Sequence, residues 1–293
     1  MSKEGYHLYD GKVIKILSCS ECNVKCKHCY ISFKGSLSGC DLYDMVNKLA
    51  DDHEIRINGS EPLLHKEYLE SLKRAKQKLI LTNGLVFKDN YDYIDELKDI
   101  GIERIGISYH FDIHDSISLV SKVYLDNLFK EIIKRGLDVQ VMTTITSENY
   151  KMIPEYCDYC FKNGIKIIRF TNFISQGNAK EMDDNLILSD EEKNDFFRII
   201  DDMRSIYPKD ILEIQRCGSF GNDINGCKEF CCDAGFGSVV ITPDYSVYPC
   251  LFFAKKGNEI GYYEDGNIYI SDDYKNDRTE CMAIKKLNKR MCD

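Results

Sequence analysis

Val13-Ile14-Lys15-Ile16-Leu17, followed at once by Ser18-Cys19-Ser20-Glu21-Cys22-Asn23-Val24-Lys25-Cys26-Lys27-His28-Cys29, sets an apolar strand against a cysteine-rich loop. From Cys22 the gaps are three residues and then two. Thiolates this close share one centre, and soft thiolate ligands select zinc or an iron–sulfur cluster. Four-iron clusters are normally held by four cysteines, so a compact set of three leaves one iron open to another ligand. Adding Cys19 gives a four-thiol zinc alternative. Structural zinc, however, draws on cysteine pairs separated by a longer segment that folds back into a tetrahedron. Here the pairs Cys19/Cys22 and Cys26/Cys29 are only three residues apart. A bacterial ferredoxin loop would have two-residue gaps and end in Cys-Pro; this one has Tyr30 after Cys29.

Composition fits an iron–sulfur protein of a reducing compartment. The chain has 293 residues, 43% of them hydrophobic, enough for one large unit with a small appendage. Its 14 cysteines would mean disulfides in a short secreted domain. In a chain of this length, whose start Met1-Ser2-Lys3-Glu4-Gly5 lacks an apolar signal region, they read as thiols and metal ligands of a cytoplasmic protein. No apolar run approaches the roughly 18 residues of a membrane span. A net charge of −9 with no basic stripe argues against nucleic acid. The short run Lys73-Arg74-Ala75-Lys76-Gln77-Lys78 reads as the solvated end of a helix.

Beyond the loop, β-rich and helical patterns alternate. Strands are expected at Val13–Leu17, Glu54–Asn58, Lys78–Thr82, Arg104–Ser108, Val139–Thr144 and Lys166–Phe170. Helices are expected near 41–51, 66–76, 91–100, 122–135 and 150–163, with stop signals at Gly101, Gly136 and Gly164. Ser189 and Glu192 form a capping box for a helix running to about Ile206. Alternation of this kind predicts right-handed βαβ units and a parallel sheet. Six units are too few to close an eight-stranded barrel, so the expected fold is α/β, a partial (β/α)6 barrel with its site at the C-terminal strand ends. Cys157 and Cys160, three apart in a helical pattern, read as small buried hydrophobes.

In this context Cys22-Asn23-Val24-Lys25-Cys26-Lys27-His28-Cys29 resembles the CxxxCxxC signature of the radical S-adenosylmethionine (SAM) enzymes, with His28 where that signature carries an aromatic ring. The resemblance implies a [4Fe-4S] cluster on Cys22, Cys26 and Cys29 whose open iron chelates SAM. Gly59-Ser60-Glu61 after the second strand resembles the family's "GGE" element, which cradles the methionine amino group; glycine there would let a ligand approach the backbone closely. An ordinary strand-to-helix turn is the alternative. Thr82-Asn83-Gly84 also matches the family, or is a plain Asn-Gly turn. Ser108, His114 and Asp115 match the pattern Ile-Ser-x-Asp-Gly…His-Asp of peptide-modifying members. His110 and Phe111 replace its aspartate and glycine, and Ser118 stands where an arginine for SAM is expected, so Arg169 is the candidate substitute. His110 and His114 read as polar loop residues otherwise. The segments at Thr143–Thr146, Ile168-Arg169-Phe170 and Gly177-Asn178-Ala179-Lys180 resemble the same subfamily. The SAM-contact candidates are therefore His28, Gly59, Ser60, Glu61, Asn83, Ser108 and Arg169.

Residues 211–293 read as a second unit after a barrel core of residues 1–210. Pro243-Asp244-Tyr245-Ser246 between β-branched runs reads as a hairpin that would bring Cys232 near Cys250. Cys232-Asp233-Ala234-Gly235 with Val247-Tyr248-Pro249-Cys250 resembles the start of the SPASM and twitch extensions, which ligate an auxiliary iron–sulfur cluster of the [4Fe-4S] type. Tyr245 replaces the usual hairpin glycine, which a different turn type would tolerate. The second block of cysteines of a full SPASM unit is absent, so the resemblance implies one auxiliary cluster. Its ligands are assigned to Cys227, Cys232, Cys250 and Cys281, with Cys231 the rival for Cys227 and with Cys217 and Cys292 left over. A structural zinc ribbon is the alternative for this tail.

The resemblance implies an oxidoreductase-type enzyme that cleaves SAM reductively to a 5′-deoxyadenosyl radical, fed by a flavodoxin- or ferredoxin-type reductant. The favoured substrate is a peptide, as in maturation of ribosomally made peptides by oxidation, crosslinking, thioether formation or epimerisation. Against that, the first strand begins near Val13, leaving no room before it for a domain that grips a leader peptide. A small molecule such as a sugar, aminocyclitol or nucleotide is the alternative, and an iron–sulfur or zinc electron-transfer or binding protein is the reading of another class.

Overall fold

Strand β2 (Val13–Leu17) alternates: Ile14 and Ile16 are fully buried against the helical layer, while Lys15 turns to the opposite face. It pairs in parallel with β3 (Glu54–Asn58), Ile16 opposite Ile57. The crossover between them is helix α1 (Gly39–Leu49), capped by the Ser38 hydroxyl, which accepts the Asp41 N–H. Its buried stripe of Leu42, Met45, Val46 and Leu49 covers the sheet. These are features of a computed structural model, which describes residues 4–182, 184–217, 220, 232–276, 278 and 281–283.

The next units follow the expected alternation. Helix α2 (Leu69–Arg74) leads to β4 (Leu79–Thr82), α3 (Asp92–Asp99) to β5 (Arg104–Ser108), and the short α4 (His114–Ile117) with α5 (Lys122–Lys134) to β6 (Asp138–Ile145). Helix α6 (Ile153–Lys162) precedes β7 (Ile167–Asn172). Gly101, Gly136 and Gly164 end three of the helices with positive φ. Helix α7 (Asp190–Ile206) carries the complete Ser189–Glu192 capping box and leads to β8 (Glu213–Arg216), a seventh parallel strand that pairs with β7. The hydrogen bonding of the barrel therefore runs past residue 210. Strands β4 to β8 form one parallel sheet in chain order.

The barrel wall has a seam. Strands β3 and β4 belong to different sheets. Gln77 closes the gap with its side chain: its Oε1 accepts the Ile57 N–H at 2.6 Å, and its Nε2 donates to Ile57 O and Leu79 O at 3.0 and 2.8 Å. Leaving either Ile57 group buried and unpaired would cost about 1–3 kcal/mol. Gln77 is thus a structural member of a run that reads in sequence as solvated.

On its other edge β2 pairs in parallel with β9 (Ser238–Ile241). From there β10 (Ser246–Tyr248), β11 (Gly261–Glu264), β12 (Asn267–Ser271) and the N-terminal β1 (Tyr6–Leu8) continue antiparallel. The C-terminal strands thus extend the barrel's own sheet. In the β9–β10 turn Tyr245 takes the left-handed conformation, φ 63°, so it occupies the glycine position of the hairpin without a change to a turn of negative φ. Its ring lies 5.9 Å from that of Tyr263, a contact that offsets the backbone cost.

Candidate active site: one cavity reached by two cysteine sets

Cys22, Cys26 and Cys29 follow β2 at the C-terminal face of the barrel, and all three line a cavity of about 1590 Å³. The loop that carries them is clamped from β7's side. Asn178 N donates to Cys29 O at 2.9 Å, and Asn178 Nδ2 to Cys26 O at 3.1 Å. Gly177, at φ 61°, makes the approach possible, since a Cβ there would lie 2.6 Å from Cys29 O. Ser118 sits beside Cys26, whose thiol donates to Ser118 Oγ at 3.9 Å. Asn83 Nδ2 donates to Cys22 Sγ at 3.7 Å and to Asn23 Oδ1 at 2.8 Å.

The donor set suits a cluster. Burial pushes the Cys22 and Cys29 thiols up, so bare thiolates are disfavoured there and a bound cation is needed to hold them ionised. A single zinc ion draws its ligands close together. The three sulfurs do not all lie within 4.8 Å of one another, as one ion would require. A cube of irons meets each thiolate with a different metal atom and so tolerates wider spacing.

Of the SAM-contact candidates, His28, Gly59, Ser60, Asn83, Ser108 and Arg169 all line the cavity. The reason for Gly59 differs from the one read in sequence: a Cβ there would lie 2.7 Å from Cys19 Sγ, so its glycine is required by packing against Cys19. Ser60 N donates to Cys19 O at 2.8 Å, which fixes the turn. Glu61 is wholly buried, and its Oε2 accepts the Asn83 N–H at 2.8 Å. It is thereby a tie between the ends of β3 and β4. Its Oε1 has no partner, and burial pushes the carboxyl up to about 7.

That shift has a sign. The proton is held more tightly in the folded chain, so its stabilisation is complete below the ordinary value of 4.5 and is lost as pH rises through about 7. Glu61→Gln keeps an acceptor for Asn83 and removes the ionisation. The variant should match the parent near pH 4.5 and exceed it at pH 8 by up to about 3 kcal/mol. Denaturant melts at the two pH values check this; a parent-like pH slope in the variant would refute it.

Three histidines stack in the wall behind the cysteine loop. His28 and His110 meet edge to face with centroids 4.4 Å apart, and His110 and His114 stack at 5.6 Å. The alternative of polar loop residues is excluded for His110 and His114, which are 2% and 0% exposed. Burial pushes the His28 ring down to about 4 and His110 well below its usual range, so both are neutral. His110 Nδ1 accepts the Thr144 N–H, which leaves the proton on Nε2, a buried atom with no partner.

Cys217, Cys232, Cys250 and Cys281 line the same cavity. Cys232 and Cys281 pack with Ile174, Ala234, Phe253, Met282 and Ala283 in a small apolar cluster that Cys250 borders. Cys232 and Cys250 thus meet at one apolar cluster. Burial pushes the Cys250 thiol up to about 12. Cys227, Cys231 and Cys292 lie outside the described residues. Cys217, left unassigned in the sequence, reaches the cavity from the end of β8. Cys157 and Cys160 are fully buried in α6, where burial pushes both thiols up and leaves them as core hydrophobes.

The same cavity is lined by cations, of which sequence reasoning named only Arg169. Lys15, Arg56, Arg104 and Arg169 all line the cavity. Arg56 pairs with Glu54 at 2.7 Å and Arg169 Nη1 donates to Gln215 at 3.2 Å. Lys15 has no carboxylate partner among the described residues, and burial, with Arg56 and Arg169 nearby, pushes its ammonium down. A lysine at the inward-facing register of an apolar strand was the available signal.

No family model matches the chain. Among curated proteins, GTP 3',8-cyclase of Aquifex aeolicus is 24% identical over 95% of this chain and 93% of its own length. The subtilosin biosynthesis protein AlbA of Bacillus subtilis is 24% identical over 85% of this chain and 55% of its own. Among solved structures, Streptococcus suis SuiB bound to the precursor peptide SuiA superposes with a TM-score of 0.68 at 16% identity, covering 85% of this chain and 62% of SuiB. The same protein has been solved with S-adenosylmethionine, TM-score 0.67. The partial barrel of parallel strands is the fold these structures share with the chain.

Proposed function

We propose that this chain, whose relatives support its membership of the radical SAM superfamily, is an enzyme that modifies a peptide with the help of an auxiliary iron–sulfur cluster. The observation that carries the reading is the single cavity lined both by Cys22, Cys26 and Cys29 and by Cys232, Cys250 and Cys281. The first set would hold a [4Fe-4S] cluster with SAM, and the second an auxiliary cluster, with Cys227 or Cys231 as further ligand. When bound, the first cluster and SAM supply reductive cleavage of SAM to methionine and a 5′-deoxyadenosyl radical.

The chain's own residues do the rest. Asn178 and Gly177 hold the cysteine loop, and Ser60, anchored on Cys19, offers backbone groups at the strand end. Asn83, fixed by Glu61, stands beside Cys22. His28 and His110 form a neutral wall, and the unpartnered His110 Nε2–H is a donor for a polar atom of the bound cofactor. Arg169 is the cation for its carboxylate. These residues exclude water and orient the reacting carbon; the radical chemistry is the cofactor's.

A second reading, a small anionic substrate, is favoured by Lys15, Arg56, Arg104 and Arg169 in the same cavity, and by a cyclase of GTP that matches almost the whole chain. The experiment is anaerobic incubation of the dithionite-reduced protein with SAM. It should release 5′-deoxyadenosine and methionine even without substrate; S-adenosylhomocysteine alone would mean methyl transfer and a different class. A precursor peptide encoded beside the gene should then lose two hydrogens or take up deuterium, read by mass spectrometry. Failure with every such peptide, alongside turnover of an anionic small molecule, would favour the second reading.

A further inference from the structure

Outside the cavity, Cys19, Glu21 and His65 each turn one donor atom to a common point. Among the described residues they are the one group of three or more Cys, His, Asp or Glu residues whose donor atoms all lie within 4.8 Å of one another. They come from two segments that converge, the loop after β2, which carries Cys19 and Glu21, and the turn after Pro62–Leu64. None of the three lines the cavity that receives Cys22, Cys26 and Cys29.

Each side chain is built into place. Cys19 is fully buried and its backbone bridges to Ser36, whose hydroxyl also bonds Glu21. The His65 ring stacks on Tyr68 at 4.8 Å, and the Tyr68 hydroxyl is tied to Leu37 O at 2.7 Å. His65 Nδ1 faces Glu67 Oε1 at 3.3 Å, the acceptor for the ring proton when Nε2 binds a metal. Nε2 then carries a free lone pair; it is buried and has no hydrogen-bond partner. Its 3.6 Å separation from Glu21 Oε2 is too long for a hydrogen bond but suits two ligands of one ion. A carboxylate on the far nitrogen of a histidine is the outer arrangement that orients metal-bound imidazole.

We propose that Cys19, Glu21 and His65 form a mononuclear zinc-type site, completed by water, that pins the start of the cysteine loop to the turn following β3. One sulfur, one imidazole nitrogen and one carboxylate oxygen match the ligand preferences of zinc, and three protein ligands leave a fourth tetrahedral position to water. The site is separate from the iron-binding thiols, so it fills without competing for them.

The test uses the full chain, anaerobically reconstituted with iron and sulfide, then equilibrated with one equivalent of zinc and desalted. Elemental analysis should find about one zinc per chain alongside an unchanged iron content, and the zinc absorption edge should fit one sulfur with nitrogen or oxygen neighbours. Cys19→Ser and His65→Ala should each lose the zinc and keep the iron. Glu67→Gln, which removes only the outer carboxylate, should weaken zinc about 10–100-fold in a chelator competition. Cys40→Ser, on the exposed face of α1, should change nothing. Less than about a tenth of a zinc per wild-type chain, zinc retained in both ligand variants, or an edge dominated by sulfur would each overturn the site.

Discussion

Replacing Cys22, Cys26 and Cys29 together with Ala should lower the iron of the anaerobically purified chain from about eight atoms to about four and abolish SAM cleavage. The loss of activity should be complete, because no other described cysteine can take over. Cys19 packs against Gly59 and does not line the cavity, and the second set is held in the apolar cluster with Ile174, Phe253 and Ala283. The variant should stay folded. The loop backbone is held by Asn178 and by the Ser60–Cys19 hydrogen bond, none of which uses the three thiols. Iron and sulfide assays with circular dichroism on the same preparation measure both halves of the expectation. Full iron content in the variant, or stoichiometric zinc with negligible iron in the parent, would remove the first cluster from the account.

What is legible in the sequence follows from where each residue's partners lie. Strands β2, β3 and β5 start and end at the residues expected, because their apolar runs are flanked by local punctuation and buried by helices next to them in the chain. Strand β8 gives no such signal: Glu213 and Gln215 are polar and only Ile214 packs into the core, so no period-two pattern stands out. Gln77 reads as solvated because its partner Ile57 lies twenty residues away across the seam. The first cysteine set is legible because its ligands are local; the grouping of Cys250 with Cys281, thirty residues on, rests on the resemblance alone. Lys15 and Arg104 show the same limit. Each looks like a lone charge in an apolar strand until the barrel curls and turns both to one lumen.

Cys250→Ala asks what the second cysteine set is for. If the auxiliary cluster serves the substrate, the variant should retain the first cluster and normal 5′-deoxyadenosine release while product formation falls to background. If that cluster is only a staple, fold and SAM binding should go together, because metal binding in a small unit is folding energy. The sheet argues for the first outcome. Strand β9 is held to β2 by a parallel register that runs from Val13 opposite Ser238 to Ile16 opposite Ile241. Strand β12 is held to β1, so the C-terminal strands lean on the barrel without help from the thiols. Removing the Cys250 side chain takes one sulfur from the border of an apolar cluster whose other members stay packed. A thermal melt within a few degrees of the parent, with SAM cleavage intact and product absent, is therefore the expected set of results. A soluble variant that makes full amounts of product would refute both roles, and Cys250 would then be one more buried thiol beside the cavity.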